Sequence, residues 1–364
     1  MAANYIPNFT MPGVSVPNFT DMGSKVADGL TSGTCVIALL LGIIVCILFI
    51  LIHFMNKNEC SKEKIVTKIR SITSSDTKTN LICNFYIKSS YNSCVTGKFL
   101  NGWVNLCALD HVIQQGCRVL DFEIYSVNGK CAVAASNSVK FTEKGTYNSI
   151  PIGDVLERIR NKAVSQSEWT EHCPNPRDPL FLHFRMKTES EDVYAELARS
   201  IASNLGSVLI SPTYSIKNYK SGTSVAATSI NFCSTMTLED LMGQVVIIVD
   251  KSSHNLESSV LGELVHIVGK GQFFHSLNYN DIAFSPDEGI ADFNSLGNMT
   301  YCYPSLSVYP TNYSSFVAMK NGVQMCGLCF QNNDVHLKAY NSFFDTATKA
   351  FVLKTNKEGK YTPV

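Results

Sequence analysis

The sequence predicts an α/β protein, a (β/α)8 TIM-like barrel preceded by a single transmembrane helix. Three observations predict it. The first is a charge-free apolar run from Cys35 to Ile52, "CVIALLLGIIVCILFILI". As a helix at 1.5 Å per residue this run is about 27 Å long, close to the roughly 30 Å hydrocarbon core of a bilayer. The second is a regular alternation of strand-like and helix-like segments from Leu81 onward, the pattern of parallel strands joined by crossover helices. The third is size. Leu81 to Leu353 is 273 residues, near the roughly 250 typical of such barrels.

Each element has its own justification. Residues 1–33 are rich in Pro, Gly, Asn and Ser and carry a short repeat, "IPNFT" at Ile6–Thr10 and "VPNFT" at Val16–Thr20. Such a composition predicts extended segments and turns without a core, or a peptide that docks on a neighbour. Both copies contain an Asn-x-Thr glycosylation pattern, as does Asn298-Met-Thr300, with Asn312-Tyr-Ser314 as a serine version. Residues 34–55 form the expected membrane helix, with the bilayer contacted from Cys35 to Met55. A cleaved signal peptide would have a shorter apolar region nearer the start. Residues 56–80 read as a basic polar linker, able to touch anionic headgroups.

In the barrel domain, 81–364, "LICNFYIKS" is a strand and "WVNLCALDHVIQQGC" a helix ending at Gly116. "CRVLDFEIYS" is a strand, "IGDVLERIRNKA" a helix and "DPLFLHFRMK" a strand. "SEDVYAELARSIASNLG" is a helix with an acidic first turn, and "TLEDLMGQVVIIVDK" a helical turn leading into a strand.

Charge places the domain and narrows its partners. Thirty basic and thirty acidic residues balance, so no net field recruits nucleic acid. Before the apolar run the only basic residue is Lys25; after it come Lys57, Lys62, Lys64, Lys68 and Arg70. The positive-inside rule therefore puts the large C-terminal domain on the cytoplasmic side. Of thirteen cysteines, Cys35 and Cys46 lie in the run and eleven follow it. That odd, irregular set reads as reduced core thiols, in keeping with a cytoplasmic domain. Cys326-Gly-Leu-Cys329 has metal-like spacing, but residues three apart on a strand face opposite sides and no second pair lies near.

Seven blocks in order carry a resemblance: "YIKSSYNSCVTG", "GCRVLDFEIY", "DVLERIRNKA", "TLEDLMGQVVII", "SVYP", "NGVQMCGLCFQ" and "AFVLK". Together they resemble both halves of the catalytic barrel of eukaryotic phosphoinositide-specific phospholipases C, with the linker between the halves nearly absent. The resemblance implies a phosphoric diester hydrolase fold and a catalytic pair of histidines. It also implies a calcium ion that lowers the pKa of the attacking hydroxyl. The first histidine position is Tyr91, and the second aligns with Ser136 in "AASN". Neither side chain titrates near neutral pH, so no catalytic residue is assigned.

Of the calcium ligands, Asn92 stays, and Asp121 and Glu123 occupy the paired acidic positions with their identities exchanged. The fourth, a glutamate, aligns with Arg185. A cation there repels calcium and can pair with the carboxylates. Strand alternation aims Asp121, Glu123 and Arg185 alike at the barrel mouth, with His183 on the same face. The phosphate-binding lysines align with Ile248 and Asp250, and the arginine of an Arg-x-Tyr-Pro run with Ser307, while Tyr309 and Pro310 remain.

The expectation is a vestigial, ion-paired metal site of Asn92, Asp121, Glu123 and Arg185, with Tyr309 as a further ligand-binding residue. No cofactor is expected beyond a residual calcium site. Tyr91 is expected to fill space the substrate would use. The leading function is a membrane-anchored, catalytically inactive structural or interaction protein with protein partners. The pairing of a stripped barrel with a short anchor suggests a component of a viral particle, in a virion inner membrane. The alternatives are a module that binds an inositol phosphate or lipid headgroup, and a phosphodiesterase with a rearranged site.

Overall fold

The computed structural model describes residues 33–57, 60, 66–73, 78–138, 142–219, 231–250, 256–284 and 289–354. The N-terminal repeat, its two glycosylation patterns and much of the 56–80 linker lie outside the described residues. The chain divides into two units, 1–56 and 57–364.

In the first unit, helix α1 runs Gly33–Lys57, 25 residues against the expected 34–55. Its described side chains, those of 36–52, are exposed throughout. Among the described residues no helix is long and apolar enough to cross a membrane.

In the second unit eight parallel strands form a near-closed barrel. They are β1 (Phe85–Ser90), β2 (Val119–Val127), β5 (Leu180–Met186), β6 (Val245–Asp250), β7 (Ile267–Gly269), β8 (Phe274–Asn278), β9 (Met299–Tyr303) and β10 (Met325–Leu328). Their order is β7-β6-β5-β2-β1-β10-β9-β8, and the seam lies between β7 and β8. Three accessory strands complete the sheet: β3 (Lys130–Ala134) and β4 (Ile150–Pro151) form a meander on β2, and β11 (Phe351–Leu353) pairs antiparallel with β1.

The helices that matter for the site are α2 (Leu106–Gln114), α3 (Ile152–Lys162), α4 (Glu191–Leu205) and α5 (Val335–Ala347). Asn105 caps α2 by accepting from the Cys107 amide, and Asp334 caps α5 by accepting from Leu337. These contacts satisfy amides that a helix start leaves without partners. Gly116 ends the α2 region at φ +76°, where an added Cβ would press on Ile69. Only glycine meets both demands there.

Strand alternation sorts the core. Leu120, Phe122, Ile124, Leu182, Phe184, Ile247 and Val249 pack outward with residues of α2, α3 and α4. Val119, Phe181, Val246, Ile248, Met299 and Tyr301 belong to a second cluster. Both faces of each central strand are therefore buried, as parallel barrel strands require. Near the start of β2 the fully buried Arg118 donates to the carbonyls of Pro179, Ala163 and Asp178. These bonds, with one to Cys173 Sγ, hold its guanidinium in the core.

Two expectations are corrected here. The cysteines are not all free thiols: Cys60 and Cys107 form a disulfide across 47 positions. The remaining described cysteines of the domain are free and buried. Odd counts and irregular spacing cannot reveal one pair brought together by the fold. Nor is the whole of 56–80 a solvated linker. Ile69 and Ile72 are buried in the domain, the Arg70 amide donates to Thr348 and the Ile72 amide to Asp178. Composition marks this stretch as basic and polar, whereas the burial of its apolar residues depends on the groove beneath them.

Candidate functional site

At the C-terminal ends of β1, β2, β5 and β6 a buried polar network fills the barrel mouth. In-register pairing of β2 with β5 sets Asp121 beside His183 and Glu123 beside Arg185. The next pairing sets Arg185 beside Asp250. Arg185 reaches Asp121 through two donors: Nε to Oδ1 at 2.8 Å and Nη2 to Oδ2 at 2.8 Å. Its Nη1 donates to Glu123 Oε1 at 2.8 Å, and Nη2 also to Asn92 Oδ1 at 3.0 Å. This is the forked, bidentate geometry in which arginine pairs most strongly.

The remaining acceptor oxygens are used as well. Asp121 Oδ2 accepts from the Asn92 amide. Glu123 Oε2 accepts from Tyr125 Oη at 2.8 Å and from the Ser136 amide at 3.0 Å. Asn92 sits at φ +48°, in the left-handed region that asparagine tolerates better than most residues.

Tyr91 is 3% exposed and encloses the arginine. Its ring stacks on Tyr303 at 6.1 Å and meets Phe99 edge-on at 5.6 Å. The Arg185 guanidinium lies 4.5 Å from its centroid, in cation–π range. Burial, opposed by Arg185, raises the phenol well above its ordinary value. The hydroxyl thus stays protonated at any physiological pH.

Below this layer His183 links two acids. Its Nε2 lies 2.9 Å from Asp250 Oδ1, which also accepts from Ser276 Oγ at 2.7 Å. Its Nδ1 lies 3.2 Å from Asp121 Oδ1, in ion-pairing range yet without hydrogen-bond geometry. We read that contact as Coulombic. Burial disfavours the charged imidazole, but Asp250 and Asp121 outweigh it and raise His183 to about 9. Burial likewise opposes ionisation of Asp121, yet Arg185 and His183 bring its carboxyl down to about 2. At neutral pH Asp121, His183 and Arg185 are therefore charged, each beside an ion of opposite sign.

These shifts predict a pH profile. Asp121, depressed in the fold, contributes stability present above its unfolded value of 3.8 and lost as pH falls through about 2. His183, raised in the fold, contributes stability fully present below its unfolded value of 6.5 and lost as pH rises through about 9. Denaturant midpoints measured against pH should therefore decline across the alkaline window from 6.5 to about 9, and His183→Gln should flatten that arm. A profile with the same alkaline slope in both proteins would show that His183 is not charged in the fold.

A calcium ion does not fit this set. The oxygens that would ligate it already accept from Arg185, Tyr125 and backbone amides, and the guanidinium stands among them. Among the described residues no group of three or more His, Cys, Asp or Glu could hold a metal.

The structure thus brings together Tyr91, Asn92, Asp121, Glu123, Ser136 and Arg185. Tyr309 is the exception. It is 58% exposed, with its hydroxyl taking a bond from Lys98 Nζ at 3.2 Å and its ring 4.4 Å from that ammonium. The matched Tyr-Pro motif points to the site, but its loop turns the side chain to solvent. His275 stacks on Phe293 at 3.8 Å, away from the network.

Three members of the network escape the sequence reading, Tyr125, Ser276 and Tyr303, and Asp250 enters it only as a replaced lysine position. Asp250 is legible in principle, since it follows inward-facing Ile248 by two on the same strand. Ser276 and Tyr303 depend on which strands close the barrel and carry no local signal.

Comparison with known proteins bears on the fold that carries this site. Residues 79–251 match the model of the phosphatidylinositol-specific phospholipase C X domain. Over those residues the chain is similar to that domain. The crystal structure of S. officinalis PLC21 resembles it with TM-score 0.59 at 19% identity, over 78% of this chain. That of L. pealei PLC21 does so with TM-score 0.58 at 18% identity, again over 78%. This chain spans 38% of the length of each. No curated protein sequence matches it. The X-domain match covers β1 to β6 and includes Asn92, Asp121, Glu123 and Arg185.

Proposed function

We propose that this chain is a membrane-anchored phospholipase C-type barrel without phospholipase activity, serving as a structural or interaction component. The observation that carries the reading is the Arg185 fork. A guanidinium satisfied by Asp121, Glu123 and Asn92 stands where the resemblance places calcium, and Tyr91 stands where it places a histidine. A site of this kind lacks the cation that would activate a hydroxyl and the imidazole that would move a proton. The mouth instead gives the barrel an ion-paired plug.

Anchoring is assigned to α1, whose run Cys35–Ile52 is free of charge. Five basic residues after the run favour the cytoplasmic side for the domain. The Cys60–Cys107 disulfide is the observation that opposes it, because cytosolic thiols are kept reduced.

Calorimetric titration of the full chain with calcium, and separately with inositol 1,4,5-trisphosphate, tests the reading of the mouth. No saturable heat is expected with either. Calcium binding abolished by Asp121→Asn would overturn the plug. Inositol-phosphate binding abolished by a mouth substitution would replace the structural role with headgroup recognition.

A further inference from the structure

The Cys60–Cys107 disulfide joins two pieces of chain with different roles. Cys60 lies just beyond the end of α1 at Lys57, and Cys107 is the second residue of α2. Both are half-buried, whereas every other described cysteine of the barrel domain is buried and free. Burial pushes those thiols up, to about 12 at Cys117 and Cys302, so they hold little thiolate. Thiolate is the form that exchanges with a disulfide. The fold therefore leaves one sulfur pair open to exchange and shields the rest.

Cys107 has the position of a good leaving group. Its amide donates to Asn105 Oδ1 at 3.0 Å, at the start of the nine-residue α2. The free amides of a helix start carry partial positive charge and lower the pKa of a cysteine placed there. The sulfur with the lower thiol pKa departs faster from a disulfide. Cys60 is thus the sulfur that an incoming thiolate attacks, and Cys107 the one released.

What the bond holds follows from the next fastenings along the chain. Thr67 Oγ1 donates to Asp345 Oδ1 at 2.7 Å, and the Lys68 amide to the same oxygen at 3.0 Å. The Arg70 and Ile72 amides continue the attachment, to Thr348 and Asp178. Ahead of Thr67 the disulfide is the tie found among the described residues. Cys60 and Val66 both line a cavity of about 250 Å³, together with Ala108 and Val112 of α2 and Leu337 of α5. The segment held by the disulfide is therefore part of the wall of that cavity.

We propose that the Cys60–Cys107 disulfide is a reversible redox latch, which holds the segment ahead of Thr67 against α2 when oxidised and releases it when reduced. The reductant is a dithiol. One of its thiolates attacks Cys60 Sγ, the S–S bond breaks, and Cys107 leaves as a thiolate. The second dithiol sulfur then displaces Cys60 from the mixed disulfide. The dithiol loses two electrons and becomes a disulfide, and its two protons end on Cys60 and Cys107. The attachments from Thr67 to Ile72 are hydrogen bonds and survive this step, so the barrel stays folded. Cytosolic disulfides are usually transient and redox-sensing, so a latch of this kind also suits a domain on the cytoplasmic side. It stands whether or not the mouth is catalytically silent.

The test uses the full chain in detergent, treated with reduced dithiothreitol and then with its oxidised form. Dithiothreitol at about 5 mM should free two more thiols than the untreated chain shows, under native conditions. N-ethylmaleimide labelling read by peptide mass should place them at Cys60 and Cys107. Trypsin should then cut between residues 57 and 66 about tenfold faster, since cleavage follows the population of the open form. Far-UV circular dichroism and cooperative melting of the barrel should persist. Oxidised dithiothreitol should restore slow cleavage. Cys60→Ser, which leaves α2 intact, should be cut at the fast rate without reductant. A bond that resists reduction in the folded chain overturns the latch. So does reduction that unfolds the barrel, the mark of a purely structural staple, and so does a cleavage rate that reduction leaves unchanged. None of these outcomes depends on lipid turnover, so this proposal and the reading of the mouth fail separately.

Discussion

Arg185→Met is expected to destabilise the domain by about 3–5 kcal/mol, the cost of leaving buried charges without their partner. Asp121 and Glu123 are essentially inaccessible, and each would lose its strongest donor while remaining enclosed. His183 could compensate only Asp121, and only in part, because Asp250 already shares it. Arg185→Lys should recover little. A single ammonium cannot reach two acids and Asn92 with the fork's geometry. Removing the acids together with the arginine, as Arg185→Met/Asp121→Asn/Glu123→Gln, should restore a good part of the loss, since no buried ion is then orphaned. Urea unfolding of the four proteins measures this. Equal midpoints for the native chain and Arg185→Met would show that the network carries no net stability.

The second large effect is an absence of catalysis. Release of inositol phosphate from phosphatidylinositol vesicles by the full chain should be undetectable, with or without calcium. An imidazole beside a developing phosphorane can carry positive charge near neutral pH, whereas the buried Tyr91 phenol is held protonated and uncharged. Loss of one such stabilising group typically costs about 10²–10³ in rate. Loss of an acid–base partner at Ser136 typically costs about another 10²–10⁴. These factors do not simply multiply, yet either alone is severe.

Tyr91→His should not rescue turnover. Ser136 would still lack a titratable group, Arg185 would still hold the carboxylates, and Ile248 would still present a buried methyl surface. The same substitution would also remove the stack on Tyr303 and the ring beneath Arg185. Inositol phosphate released by the unmodified chain and lost on Tyr91→Phe would mean a rebuilt active site.

Much of this architecture is legible because its signals are local. Alternating apolar residues mark "VLDFEIY" and "LFLHFRM" as strands, and the structure places β2 and β5 there. The two-residue spacing of Asp121 and Glu123, and of His183 and Arg185, puts all four on one face before any contact is known. Tyr91 and Arg185 are noticed for a related reason, since each stands in or beside a strand-like stretch of recognisable pattern. Tyr309 shows the limit of that method. A retained motif says what residue is present, while the path of its loop decides where the side chain goes.

The sequence by itself determined the charge-free run Cys35–Ile52, the βα alternation from Leu81, and the absence of histidine at Tyr91 and Ser136. Each follows from neighbouring residues and their periodicity. Tertiary structure alone decided that one guanidinium meets Asp121, Glu123, Asn92 and the Tyr91 ring, partners lying 64, 62, 93 and 94 positions away. It also decided that Tyr303 closes over them, that Asp250 joins His183, and that Cys60 reaches Cys107. Such contacts depend on strand register and barrel closure. These are set by summed packing over the whole sheet, and no short window of sequence carries that information.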